Sequence, residues 1–252
     1  MSPEAEFYEA TDVDGWSCHD SGLWSLPVLS PDGTWTPGEW RAVGGQLRPF
    51  QNGIHLAAAT GLLERLGPVM WEAEVCGRVM RRGSVGVARQ ARLVRGLPGW
   101  SERTARLFAV TCAAEVLHLA DPEVAPLLEW MLGVARRHAD GRATAAELAL
   151  ARQASWDSVT DGWEAGLDDA PRVAASAVRS VFDAEAWRAA SDASRQARVA
   201  AGWGAEPAAA LDEPWDPAAS RAWRTAFSAA VQAALNRQLE SLLRVLHEGG
   251  RE

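Results

Sequence analysis

Lysine is absent from this chain, so all of its formally basic side chains are arginines. No lysine is available as a Schiff-base amine or as a general base. Cysteine is scarce as well. Cys18, Cys76 and Cys112 are too few and too scattered for a disulfide framework or a thiolate zinc site, and they read as reduced thiols of a cytosolic protein. No apolar run approaches membrane-spanning length. The opening MSPEAEFYEA is acidic and has no apolar signal region. A cytoplasmic location without membrane contact is therefore expected. The five histidines, His19, His55, His118, His138 and His247, show no i, i+4 pair, so neither a metal nor a cofactor is expected. The phosphate-binding loop, G-x-G-x-x-G, H-E-x-x-H, G-x-S-x-G and C-x-x-C patterns are also missing, and no motif fixes a reaction.

What is present is an uneven distribution of charge. The chain carries a formal net charge of −8, which argues against general nucleic-acid binding. Yet residues 78–106 hold Arg78, Arg81, Arg82, Arg89, Arg92, Arg95, Arg103 and Arg106 against Glu102 alone. Such a segment is suited to a phosphate or an acidic partner. The competing reading is a solvated face balanced by acidic neighbours in the fold.

The first 99 residues have the grammar of strands. EFYEAT is a strand candidate, and Trp24, Trp35 and Trp40 surround the turn signal Ser30-Pro31-Asp32-Gly33. QLRPF and GIHLA are short extended pieces, and TGLLERLG allows one short helix ending at Gly67. In VMWEAEV, Val69, Trp71, Ala73 and Val75 share one face, while Met70, Glu72 and Glu74 share the other. VGVARQARLV is the last strand before the break at 96–99.

After Trp100 the period becomes helical. Ser101 is a candidate N-cap, and Ala105, Phe108, Ala109, Cys112, Ala113 and Val116 form one stripe. Cys112 lies inside that stripe and is expected to be buried; His118, six residues on, lies on nearly the opposite side, so the two form no dyad. A second helix is expected from Asp121-Pro122 to Gly141. Its apolar stripe would be Val124, Leu127, Leu128, Met131, Ala135 and His138. A third opens with the capping box Thr144-x-x-Glu147, with Leu148, Ala151, Ser155, Val159 and Gly162 or Trp163 on one side. Residues 171–201 suit one bent helix or two, and 202–217 is a connector rich in glycine and proline. A final helix runs from Asp216-Pro217 to Gly249, long enough to need a partner along its face. Alanine alternating with Trp156, Trp163, Trp187, Trp203, Trp215 and Trp223 suits a close-packed bundle. The expected fold is thus α+β: a small β-rich domain, residues 1–99, followed by an Ala/Trp-rich α-helical bundle, residues 100–252.

Two resemblances accompany this reading. FYEAT at 7–11, GIHLA at 53–57 and WEAEVCG at 71–77 resemble an uncharacterised phage and bacterial domain family built on a Gly-x-His turn. WSERTARLFAVTCAAEVL and the Ala/Trp rhythm after it resemble helical regions of bacterial immunity proteins, which implies a protein-binding inhibitor. The order of N-terminal elements is also similar in outline to compact ADP-ribosyltransferase folds. Those place an Arg or His on the first strand, where this chain offers Tyr8 and Glu9.

The function expected first is protein binding of an immunity or inhibitor kind, without catalysis, through a protein partner or self-association. The alternatives are a nucleotide- or ADP-ribose-handling enzyme in the N-terminal domain, and a structural oligomer held by the last helix. A small-molecule site, if the chain has one, is expected at Tyr8, His55, Glu72, Glu74 and Arg78. There arginine would hold phosphate and a carboxylate the ribose hydroxyls.

Overall fold

The computed structural model describes residues 6–20, 22–164, 169–205 and 217–248, the side chains of 161–164, 217–219 and 248 excepted. The architecture is α+β. Two compact units divide the chain: Met1–Ser101 together with Leu243–Glu252, and Glu102–Leu242. Residues 100–101 and the last ten residues thus group with the N-terminal unit rather than with the helical bundle expected over 100–252.

The N-terminal unit is an antiparallel sheet that closes on itself. Its strands are β1 (Phe7–Thr11), β4 (Arg41–Ala42), β5 (Ile54–Ala58), β6 (Val69–Arg82) and β7 (Val85–Gly96), in the order β4-β7-β5-β1-β6, and β7 also pairs with β6. β1, β6, β7 and β5 therefore form a closed, barrel-like circuit. A separate hairpin, β2 (Val28–Leu29) and β3 (Trp35–Thr36), turns at the expected Ser30–Gly33 signal. There Gly33 takes φ 84°, and Asp32 Oδ1 accepts the Thr34 N–H at 3.0 Å.

The alternation read from the sequence decides what lies inside. Phe7, Ile54, Leu56, Ala58, Trp71, Ala73, Ala91 and Leu93 form a buried core with Trp24. Trp35 meets Trp71 edge to face, centroids 6.3 Å apart. Each large side chain so buried contributes roughly 1.5–3 kcal/mol. The Trp71 indole N–H would be costly to bury alone; it donates to Thr11 Oγ1 at 2.9 Å.

Two expectations fail in this unit. QLRPF is not extended. It enters a tight turn, bridged between Arg48 and Asn52, in which Phe50 adopts φ 64°, the one positive-φ non-glycine residue among the described residues. The Phe50 N–H donates to His55 Nε2 at 2.8 Å and its ring stacks on the imidazole, which holds the residue there. VMWEAEV also runs on past the seven residues read as a strand. Gly77, at φ 82°, sits in a register shift between Cys76 and Val79, and β6 continues to Arg82. A bulge absorbs one extra residue without ending the pairing, so a glycine that looks like punctuation is only a kink. The hairpin then turns through Gly83 and Ser84. TGLLERLG forms a 3-10 helix at Ala59–Glu64, burying Gly61, Leu62 and Leu63.

In the helical unit, α1 (Glu102–Ala114) buries Ala105, Phe108, Ala109, Cys112 and Ala113, with Val116 just beyond, which is the expected stripe. α2 begins later than expected, at Ala125 (Ala125–Ala139), with Val124 at the N-cap. Asp121 caps a preceding turn, its Oδ1 accepting from the Glu123 N–H at 2.8 Å. Pro126 has no N–H to return to the carbonyl of Pro122, so the regular ladder cannot start there. Leu127, expected in the stripe, is 41 % exposed. Gly141 ends the helix with φ 68°.

α3 (Ala145–Glu164) opens on the capping box: the Glu147 N–H donates to Thr144 Oγ1 at 3.1 Å and the Thr144 N–H to Glu147 Oε2 at 2.8 Å. Ala151, Ser155 and Val159 are buried; the side chains of Gly162 and Trp163 lie outside the described residues. Residues 171–201 are two helices, α4 (Asp169–Ser180) and α5 (Ala186–Gly204). Arginines clamp the break between them. Arg106 donates to the carbonyls of Asp183 and Ala184, and Arg152 to that of Phe182.

α4 and α5 pack against each other, and Ala174, Ala177, Ala189, Ala193 and Ala197 on them are fully buried; alanine permits close approach of helices. The connector at 206–216, with Trp215 and Asp216, lies outside the described residues. α6 (Pro217–Glu248) is 32 residues long. Its aromatic start packs on the end of α5, where Trp203, Trp223 and Phe227 meet with centroids 5.5–5.6 Å apart. Trp156, by contrast, is 51 % exposed and stacks under Arg179 at 3.7 Å.

Burial raises the Cys112 thiol far above its ordinary range, whereas Cys18 and Cys76 are exposed. A thiol reagent should therefore modify two equivalents promptly and the third only on unfolding; mass mapping that finds Cys112 among the fast thiols would contradict this packing. Thr144→Ala should cost about 1 kcal/mol in a denaturant melt through loss of the reciprocal cap.

Candidate functional site

The expected site residues fall on one face of the N-terminal sheet but do not gather at one point. Tyr8 pairs in register with Ala57 on one side and Glu72 on the other, so Tyr8 and Glu72 are direct neighbours. Glu74 and His55 follow on the same outer face, two residues along their own strands. His55 is separated from β6 by β1, and its Nε2 is engaged by Phe50. Glu72 is bound in bidentate fashion by Arg95, at 2.6 Å to each oxygen, and Glu74 pairs with Arg92 at 2.7 Å. Both carboxylates thus serve as counter-charges across the β6–β7 ladder. Arg78 lies apart, at the Gly77 bulge.

The bulge lines an open groove of about 610 Å³ between the β6–β7 hairpin and the loop before β5. Leu47 and Met80 supply apolar surface, Arg78 and Arg89 supply charge, and Cys76 and Gln90 complete the wall. Arg89 is steadied by a hydrogen bond to the Gly45 carbonyl at 2.8 Å. The arginine-rich segment is divided by the fold. Arg81 pairs with Glu6, Arg92 and Arg95 with the two glutamates, Arg103 with Asp140 and Arg106 with Glu102. Arg78, Arg82 and Arg89 have no carboxylate partner among the described residues. Arg82 instead lies 5.9 Å from the ring centroid of Phe50, itself 65 % exposed.

A second cluster was not picked out in the sequence. Phe7, Glu9 and Thr11 alternate onto the inner face of β1, and Glu9 lies opposite Trp71, so its carboxyl group enters the barrel and is 3 % exposed. Its Oε1 accepts the Ser17 hydroxyl at 2.7 Å. Ser17 Oγ in turn accepts the backbone N–H groups of Asp20 and His19, which fixes the loop over the carboxyl. Burial pushes the Glu9 pKa up to about 7, against the lowering effects of the Ser17 hydrogen bond and of Arg65 and Arg41.

His19 lies beside this cluster. Its pKa is lowered by burial and by the Arg65 charge, so the imidazole is held neutral. Arg65 donates to the His55 carbonyl at 3.2 Å. Arg41 packs against Gly22, where any Cβ would collide with its guanidinium. It stacks 5.1 Å from the Trp24 ring centroid and lies 3.6 Å from Asp20. Arg41 Nη1 and Trp24 Nε1 are buried without a hydrogen-bond acceptor. The signal in the sequence was the acid at the third position of an otherwise apolar strand, in phase with Phe7 and Thr11.

No group of three or more potential metal ligands converges among the described residues. Among the described residues no helix is long and apolar enough to cross a membrane. No family model matches the chain, and no match was found among curated proteins or solved structures, so the resemblances assign a role to no residue.

The raised Glu9 pKa makes stability depend on pH with a definite sign. The native state holds a proton that the unfolded chain releases near 4.5, so stability falls as pH rises from about 4.5 to 7. Above that range the buried carboxylate costs about 3 kcal/mol. Glu9→Gln should therefore melt higher than the parent at pH 8 and close to it at pH 4.5. Equal melting differences at both pH values would contradict the burial of an ionisable carboxyl.

Proposed function

We propose that the protein is a non-catalytic binding protein that receives an acidic segment of a protein partner on its N-terminal unit. The observation that carries this reading is the selective neutralisation of arginine. Along the β6–β7 ladder each arginine beside a glutamate is paired, while Arg78, Arg82 and Arg89 at the bulge and hairpin end are left without a carboxylate among the described residues. Next to them lie the apolar surface of Leu47 and Met80 and the exposed Phe50 ring. Arginine, methionine and aromatic side chains around a concave patch are the composition of an interface anchor. An inhibitor or immunity role agrees with the resemblance carried by WSERTARLFAVTCAAEVL and the Ala/Trp rhythm after it. Nucleotide or ADP-ribose chemistry is the second reading, since a groove of this volume with two arginines would accommodate a diphosphate. It is weakened by the engagement of Glu72 and Glu74 with arginines, which leaves no free carboxylate for ribose.

Calorimetry with an acidic peptide of mixed Asp, Glu and Leu, set against ADP-ribose, separates the two. The peptide should bind, lose affinity as salt rises, and weaken at least about tenfold in the Arg78→Ser/Arg89→Ser double variant, near 1.4 kcal/mol. ADP-ribose binding with a silent peptide would overturn the proposal in favour of the nucleotide reading.

A further inference from the structure

We propose that the Glu9–Ser17 hydrogen bond is a pH-operated latch: while the Glu9 carboxyl group keeps its proton, segment 12–20 stays closed over it, and ionisation releases that segment locally with the barrel still folded. The latch does not depend on the function assigned to the arginine groove. Two observations carry it. The first is how few donors reach the carboxyl group. Among the described residues Ser17 alone donates to it, at 2.7 Å. Arg65 is engaged by the His55 carbonyl, and Arg41 by the Trp24 ring and Asp20. An ionised carboxylate has about four acceptor sites, so inside the barrel it is left largely unsatisfied. The second observation is how little the segment buries. Val13 and Trp16 are 75 % and 54 % exposed and Cys18 also faces solvent, so releasing the segment uncovers little apolar area. β1, by contrast, is bound into ladders with both β5 and β6. Water therefore reaches an ionised Glu9 by displacement of the segment and not of the strand.

The charged and titratable groups around Glu9 are His19 and Asp20 on the segment, Arg41 on β4, and Arg65 after the 3-10 helix. β5, β6 and β7 line the same interior with apolar residues such as Ile54, Trp71 and Leu93. The two arginines favour the anion and Asp20 opposes it. Burial outweighs the arginines, and the closed form holds its proton up to about pH 7. In the open form the carboxyl group is hydrated and ionises near its ordinary value of 4.5. The closed form has the raised pKa, so closure is strongest below 4.5 and weakens as pH rises to 7. Above 7 both forms are ionised and the opening equilibrium no longer changes. The one covalent event is transfer of the Glu9 proton to water.

Hydrogen exchange of the intact protein, read amide by amide by NMR, tests the latch. The Cys18 N–H, donated to the Ala10 carbonyl at 2.9 Å, reports the segment; the Leu97 N–H, donated to the Met70 carbonyl at 2.9 Å, reports the barrel. Corrected for intrinsic exchange, Cys18 protection should fall roughly 40-fold from pH 5 to pH 7 and change by no more than about twofold from pH 7 to pH 8. Dilute denaturant should leave Cys18 exchange nearly unchanged and accelerate that of Leu97, because only opening of the barrel exposes much surface. Glu9→Gln, which cannot ionise, should remove the pH dependence at Cys18. Ser17→Ala should lower Cys18 protection about tenfold already at pH 5, while Arg92→Gln on the outer face should change neither amide. The dispersion of the remaining amide resonances establishes that each variant is folded. Equal protection and equal denaturant response at Cys18 and Leu97 would mean that the segment opens only with the whole unit, and would overturn the latch. So would a Cys18 protection indifferent to pH in the parent, or a pH dependence that survives in Glu9→Gln.

Discussion

Strand β1 has no solvent face, and the N-terminal unit is arranged around that constraint. All five of its residues are buried: closure of the sheet through β5, β6 and β7 encloses Phe7, Glu9 and Thr11, and Tyr8 and Ala10 on the other face are covered as well. A strand with one wet face can carry polar residues at every second position. One that is covered on both sides must satisfy each polar group internally. Thr11 meets this by accepting the Trp71 indole, and Glu9 by holding a proton and accepting from Ser17. The loop that supplies Ser17 then brings His19, Asp20 and Trp24 with it.

The same closure sorts the charges. On the outside of the barrel, glutamates of β6 stand beside arginines of β7, and their pairing satisfies the ladder. Where the Gly77 bulge shifts the register, that matching stops. Among the described residues Arg78 at the bulge, Arg82 beyond it and Arg89 across the groove have no carboxylate partner, whereas Arg81 pairs with Glu6. Residues 75–82 of β6 hold no acid to continue the ladder of pairs. The proposed latch is a consequence of one acid at an inward position.

The helical unit follows different physics. Most of the buried residues of α4 and α5 are alanines, and the turn between the helices is held by arginine guanidiniums on its carbonyls. Its polar side chains serve mainly as caps, clamps and surface pairs. Arg198 and Gln238 are buried, and the Arg198 Nη1 group donates to Gln238 Oε1 at 3.2 Å, tying α5 to α6.

The order of elements, the strand-to-helix change near residue 100, the capping box at Thr144 and the burial of Cys112 were legible in the sequence, because each depends on residues within about one turn or one strand of one another. Local periodicity also identified the acidic outer face of β6. What only the tertiary structure decided was pairing. Glu72 and Glu74 look like free carboxylates until β7 sets Arg95 and Arg92 beside them, and His55 looks available until Phe50, forced into a left-handed turn, donates to it. Glu9 looks like an ordinary solvent-facing acid until β5, β6 and β7 close around it. Sequence period tells which side of a strand a residue takes; closure of the sheet, which depends on hydrogen bonds between strands dozens of residues apart, decides whether that side is water or core.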